Sequence, residues 1–166
     1  MTTKTLRVLV LVSSTRQRAR SRRRALADGR ARASSEASGV ELVPPVSIGD
    51  LDLPFLDEEE HPPSSGILRH EHSRRWSRMV DEADGFVVVT PEYNYGMPAT
   101  LKNALDYLGP EWAWKPVGFV SYGHTSAGTR AVQHAKQVVS TLRLVPLGAT
   151  VALRIAEVTG GNGLEP

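Results

Sequence analysis

The chain has 166 residues, 40% hydrophobic and 23% charged, with no cysteine and a formal net charge of +2. That length suits one domain, which buries roughly 70% of its unfolded surface and needs no disulfide or metal staple. The lack of cysteine excludes a disulfide framework, a thiolate zinc site and a cysteine nucleophile. The apolar content, with so small a net charge, excludes a disordered chain.

No apolar run approaches the ~18 residues of a membrane span, and residues 1–4 offer no hydrophobic stretch of signal-peptide type. A cytoplasmic protein with no membrane partner is expected. Arginine supplies 16 of the 20 basic residues, and eight of these lie between Arg16 and Arg32. Six acidic residues gather between Asp50 and Glu60.

Residues 6–12 (LRVLVLV) form a near-continuous aliphatic run, the pattern of a strand buried on both faces. Ser13-Ser14-Thr15 follow, and a polar, alanine-rich helix is predicted over 21–38, closed by Gly39. Residues 40–43 read as a second strand stopped by Pro44-Pro45. A long loop rich in Pro, Asp and Glu runs over 48–66. Trp76, Met79, Val80 and Ala83 at helical spacing predict a helix over 67–83. Residues 86–90 (FVVVT) are the third strand, 91–96 a turn, and 98–108 a helix with Pro in its first turn. The fourth strand spans 117–121, a helix 125–143, and the fifth strand 144–153. One domain is expected over 1–156, with 157–166 a flexible tail.

Apolar strands alternating with helices predict an α/β fold: a doubly wound five-stranded parallel sheet, order 2-1-3-4-5, with helices on both faces. Ligands of such sheets lie beyond the carboxyl ends of the strands, where the winding reverses. The loops after strands one, three and four all fall on that edge.

The first loop sets Ser13, Ser14, Thr15 and Arg16 before a helix, with Arg18, Arg20 and Ser21 beyond. Hydroxyls, amides and guanidinium groups at a helix start suit an anion, although the same residues serve as a plain helix cap with a solvated arginine face. Neither G-x-G-x-x-G nor a Walker loop is present. The second loop, Pro91-Glu92-Tyr93-Asn94-Tyr95-Gly96, offers aromatic rings and turn amides for a planar ligand; it also reads as an ordinary helix-initiating turn. The third, Ser121-Tyr122-Gly123-His124, brings small residues to the edge, and His124 is either a proton donor or a surface loop residue. His61, His70, His72 and His134 lack metal-ligand spacing, so no metal site is expected. Arg22, Arg23, Arg24, Arg30 and Arg32 read as surface charge, and no aromatics interleave them, which argues against a nucleic-acid partner.

At these residues the sequence resembles the NADPH-dependent FMN reductase family, flavodoxin-like enzymes that include quinone, azo-dye and chromate reductases. The likeness covers residues 5–152. Its most specific part is T-P-E-Y-N-Y-G-M-P-A-T-L-K-N-A-L-D-Y-L over 90–108, close to the family's T-P-E-Y-N followed by L-K-N-A-x-D. Lys115-Pro116-Val117, Ser121-Tyr122-Gly123 and Leu53-Pro54-Phe55-Leu56-Asp57 are similar to further family segments.

The resemblance implies that Ser14, Thr15, Arg16 and Ser21 hold an FMN phosphate. Pro91, Glu92, Tyr93, Asn94 and Tyr95 would line the isoalloxazine ring, and Ser121, Tyr122, Gly123 and His124 its other edge. The sequence departs from the family at Ser13, near Arg18 and Ser21, and at His124, where glycine is usual. A Cβ there narrows a phosphate cradle or crowds a flavin. The implied activity passes a hydride from NADPH or NADH through FMN to a small-molecule acceptor, with no single protein side chain as catalyst. A flavin-binding or electron-carrier module without turnover is the alternative. The family likeness further implies a homodimer or homotetramer with the flavin near a subunit interface. Trp112, Trp114 and residues 53–56 are interface candidates, or else the tryptophans pack on their own domain.

Overall fold

The computed structural model describes residues 5–16 and 39–158. Strands β1 (Leu6–Val12), β2 (Val40–Ser47), β3 (Gly85–Pro91), β4 (Pro116–Gly123) and β5 (Val145–Arg154) form one sheet, ordered β2-β1-β3-β4-β5. Every neighbouring pair is parallel. Helices α1 (Pro62–Ser65), α2 (Glu71–Asp81), α3 (Ala99–Asp106), α4 (Thr129–Thr141) and α5 (Ile155–Val158) accompany the strands, with single 3-10 turns at Ile48–Asp50 and Pro110–Trp112. This is the expected flavodoxin-like topology. The helix expected over 21–38, with Arg18, Arg20 and Ser21, lies outside the described residues, as does the tail from 159 onward.

Side chains alternate across a strand, so Leu9 and Leu11 present one face of β1. Phe86 and Val88 of β3 and Val117 and Phe119 of β4 join them in a single core beneath Trp76 and Val80 of α2, Leu101 and Leu105 of α3, and Val132 and Val139 of α4. The two buried indoles also satisfy their N–H groups. Trp76 Nε1 donates to the Ala104 carbonyl at 2.8 Å and Trp112 Nε1 to that of Leu105 at 3.2 Å. No helix among the described residues is long and apolar enough to cross a membrane.

Two sequence expectations need correction, and one open alternative is decided. The second strand does not stop at Pro44-Pro45 but continues to Ser47. β2 is an edge strand, and its register against β1 jumps from Leu9↔Val43 to Leu11↔Val46. The bulge places both prolines opposite one residue, where no ladder donor is required. The helix expected from 67 begins at Glu71 because the Glu58 carboxylate accepts the Arg69 and His70 amides, at 2.8 and 3.2 Å, and closes its start. Trp112 is no interface residue: it is 1% exposed and packs edge-on against Trp76 and Phe86 at 5.8 and 5.0 Å. Trp114, two residues on, is 75% exposed.

Truncating Trp112 to alanine is therefore expected to cost about 3–5 kcal/mol of unfolding free energy. Trp114→Ala should stay within about 0.5 kcal/mol of the parent. Urea unfolding of the two variants checks the contrast, and equal losses would contradict this packing.

Candidate functional site

The register of the central strands builds the site. Val12 pairs with Val89 and Val89 with Val120, so β1, β3 and β4 reach the same level together. The next residues are Ser13, Thr90 and Ser121, all fully buried. Ser13 Oγ lies 3.0 Å from Thr90 Oγ1 and 3.2 Å from the Val89 carbonyl, Thr90 Oγ1 donates to the Pro91 carbonyl, and Ser121 Oγ donates to that of Ala127 at 2.9 Å. Above this satisfied row the three loops open onto one rim.

The loop after β3 is a two-residue reversal. Tyr93 and Gly96 exchange both backbone hydrogen bonds, at 3.0 and 2.9 Å, around Asn94 and Tyr95. Their φ angles are +47° and +71°. Two successive left-handed residues make the tight turn of a hairpin, and such residues other than glycine carry strain of order 1–3 kcal/mol each. Tyr95 is 71% exposed. Among the described residues, the Asn94 and Tyr95 amides have no hydrogen-bond partner.

Glu92 joins this loop to the next. Its carboxylate accepts hydrogen bonds from the Ser126 hydroxyl, from the Arg130 amide at 3.2 Å and from the Arg130 guanidinium at 3.1 Å. The Arg130 guanidinium carbon in turn sits 3.9 Å from the centre of the Tyr95 ring. Burial alone would raise the Glu92 pKa, but Ser126 and Arg130 outweigh it and hold the carboxyl below the usual range. After β4 the backbone folds tightly back on itself. Gly128 has φ +85°, and a Cβ there would sit 2.7 Å from the Tyr122 nitrogen, so only glycine fits. This reversal delays α4 to Thr129, later than the expected 125.

The long loop after β2 is buckled to α3. Asn103 accepts the Leu56 amide at 3.0 Å and donates to the Pro54 carbonyl at 2.7 Å. Tyr107 donates to Asp57 at 2.9 Å, and His72 Nε2 meets the same carboxylate oxygen at 3.0 Å. Burial, reinforced by Asp57, pushes the Tyr107 phenol well up, so it remains a donor. Phe55 is left 84% exposed at the crest.

The rim thus gathers all the described residues singled out in the sequence, but in two roles. Thr15, Arg16, Tyr93, Asn94, Tyr95 and His124 are exposed on it. Ser14, Pro91, Ser121, Tyr122 and Gly123 are buried beneath it, and Glu92 is half-buried with its carboxylate committed to Ser126 and Arg130. The Ser14 hydroxyl lies 3.2 Å from that of Tyr93, bridging the first and second loops. Ser21 lies outside the described residues. Sequence reading missed Ser126 and Arg130, which stand 34 and 38 residues from Glu92 and share no local pattern with it.

A family model described as NADPH-dependent FMN reductase matches residues 6–157. The chain is 43% identical over 115 residues to the NAD(P)H-dependent FMN reductase LOT6 of Saccharomyces cerevisiae, covering 66% of this chain and 59% of that protein. It is 35% identical over 137 residues to a quinone reductase of Pseudomonas putida, covering 77% and 66%. Among solved structures, the flavoenzyme NAD(P)H:(acceptor) oxidoreductase FerB of Paracoccus denitrificans superposes with a TM-score of 0.60 at 21% identity, over 89% of this chain and 79% of that one. The chain spans about half the length of three curated NAD(P)H-dependent FMN reductases that it matches, from Nectria, Schizosaccharomyces pombe and Saccharomyces cerevisiae.

Because the Glu92 carboxyl is held low, the stability it contributes is present above the ordinary glutamate range, about pH 4.3. It is lost as pH falls through the lower folded-state value. Glu92→Gln should therefore be less stable than the parent at neutral pH and converge with it near about pH 3. Urea midpoints at the two pH values test this; a constant gap would show that Glu92 is not ionised in these contacts.

Proposed function

The chain belongs to the NADPH-dependent FMN reductase family, and from that premise we propose that it is an NAD(P)H-dependent FMN oxidoreductase with a small planar acceptor such as a quinone or azo compound. The observation that carries this reading is the convergence of the loops after β1, β3 and β4 on one rim, tied by Ser13–Thr90, Ser14–Tyr93 and Glu92–Arg130. Open parallel sheets commonly bind ligands at such a rim, which supports the reading.

The residues present suit a flat, phosphorylated group. Thr15 and Arg16, exposed beside β1, supply a hydroxyl and a guanidinium for phosphate oxygens. At the other end the Asn94 and Tyr95 amides, without a partner among the described residues, suit heterocycle oxygens and nitrogens, and the exposed tyrosines cover ring surface. Ser13, where the likeness carries glycine, directs its hydroxyl into β3, so its Cβ leaves the rim clear.

Bound FMN would supply the redox chemistry, carrying two electrons from a nicotinamide to the acceptor. The chain's own part is to bind and orient. The turn amides favour negative charge on the ring edge they face, the electrostatic logic of an oxyanion hole. The Glu92 carboxylate is spent on Arg130 and Ser126, which argues against it as an acid or base. The family likeness extends the reading to a cytoplasmic homodimer or homotetramer, which sedimentation can check.

Purified protein mixed with FMN is expected to turn yellow, to bleach with NADPH or NADH, and to regain colour when a quinone is added. Protein that takes up no FMN would overturn the reading. Bound FMN that neither nucleotide reduces would replace it with a flavin-carrying module.

A further inference from the structure

The Asn94-Tyr95 turn is held by more than its own backbone. Its two internal hydrogen bonds join Tyr93 to Gly96 and do not engage the side chains of the tip, where both residues adopt the left-handed conformation and Tyr95 stands 71% exposed. Left-handed tyrosine is disfavoured, so an isolated turn of this sequence would relax.

Helix α4 supplies what the turn lacks. Arg130, in its first turn, lays its guanidinium 3.9 Å from the Tyr95 ring centre, within the range of cation–π attraction. One helical turn further on, His134 lies under Gly96, where an added Cβ would come within 3.3 Å of Nδ1. Arg130 is itself fixed, because Glu92 accepts both its backbone amide and its guanidinium. Glu92 directly precedes Tyr93. The contacts therefore close a ring, from Glu92 along the backbone to Tyr95, across to Arg130 and back to Glu92. A ring of this kind fixes the turn against α4, and through Ser126 against the loop after β4.

We propose that Arg130 is a positioning residue: by clamping Tyr95 it keeps the Asn94-Tyr95 turn in the left-handed shape that a flavin meets on the rim, and so sets flavin affinity without being a flavin ligand. This role rests on the flavin reading above and deepens it. Lysine is a poor substitute, since it lacks the planar group that spans the tyrosine face and the Glu92 oxygen together.

The test uses the full chain, the variants Arg130→Ala, Arg130→Lys and Tyr95→Gly, and the double variant Tyr95→Gly with Arg130→Ala. FMN affinity is read by quenching of flavin fluorescence, and the turn is read in flavin-free protein by hydrogen exchange of the Gly96 amide. Thermal unfolding confirms that each variant is folded. Arg130→Ala should weaken FMN binding about tenfold and speed Gly96 exchange by a similar factor, with Arg130→Lys in between. In the Tyr95→Gly background the same Arg130→Ala change should alter affinity by less than about twofold, because the clamp has lost its target.

Unchanged FMN affinity and unchanged Gly96 exchange in Arg130→Ala would overturn the clamp while leaving the flavin reading intact. An equal loss of affinity in both backgrounds would overturn it too, by making Arg130 a direct contact. Wild-type protein that binds no FMN sinks the flavin reading and this role together.

Discussion

A buried row of hydroxyls carries the polar rim on an apolar sheet. Ser13, Thr90 and Ser121 follow the last valines of β1, β3 and β4, and each is fully buried. A buried hydroxyl without a partner is costly, yet each of the three has one, in a neighbouring strand end or in the loop above. The row thus marks the level at which valine gives way to hydrogen bonding. Its partners also set loop paths: Ser121 holds the Ala127 carbonyl, and Thr100 donates to the Ser13 carbonyl at 3.1 Å, bringing the start of α3 to the first loop. Loss of register in any of these strands would misplace every loop above it.

Above that row the chain accepts local strain in exchange for shape. Asn94, Tyr95 and Ala127 all have positive φ without being glycine. Such residues persist where their surroundings over-determine them. Here the surroundings are the Tyr93–Gly96 backbone pair, the Arg130 clamp and the close backbone approach of Gly128 to Tyr122. Asp52, Trp114 and Arg143 carry positive φ elsewhere, in turns outside the three loops of the rim, whereas the core is ordinary close packing of Leu, Val, Phe and Trp.

The sheet was legible because parallel strands buried on both faces leave continuous aliphatic runs, and residues 6–12 and 86–90 show them plainly. Pro44-Pro45 misled because the rule against proline in strands holds for central strands, and β2 is an edge with a bulge. Trp112 stayed open between two readings for a different reason. An indole near a polar segment reads equally as surface or core, and only the positions of Trp76 and Phe86, far away in sequence, decide it. At the site, the loops were legible because they follow strands. The division between exposed rim residues and buried supports was not, since Glu92 finds Arg130 through the fold and leaves no trace at fixed spacing.

The glycines missing from the family pattern show why residue type alone misjudges such a rim. A serine in place of a glycine closes a cradle only when its Cβ points into it. At Ser13 the hydroxyl is bonded to Thr90 and to the Val89 carbonyl, and the backbone amide also bonds to that carbonyl, so the side chain belongs to the sheet. His124 lies exposed, while the close backbone approach that demands glycine falls at Gly123 and Gly128, both of which are present. A Cβ on Gly123 would meet the Gly128 nitrogen at 2.9 Å. The reversal after β4 therefore depends on glycine where backbone meets backbone, and it tolerates a side chain where the loop meets solvent. The residues at 13 and 124 therefore leave the turn chemistry of the rim intact, and its shape depends on the contacts that hold its loops against one another, Ser14–Tyr93 and Glu92–Arg130.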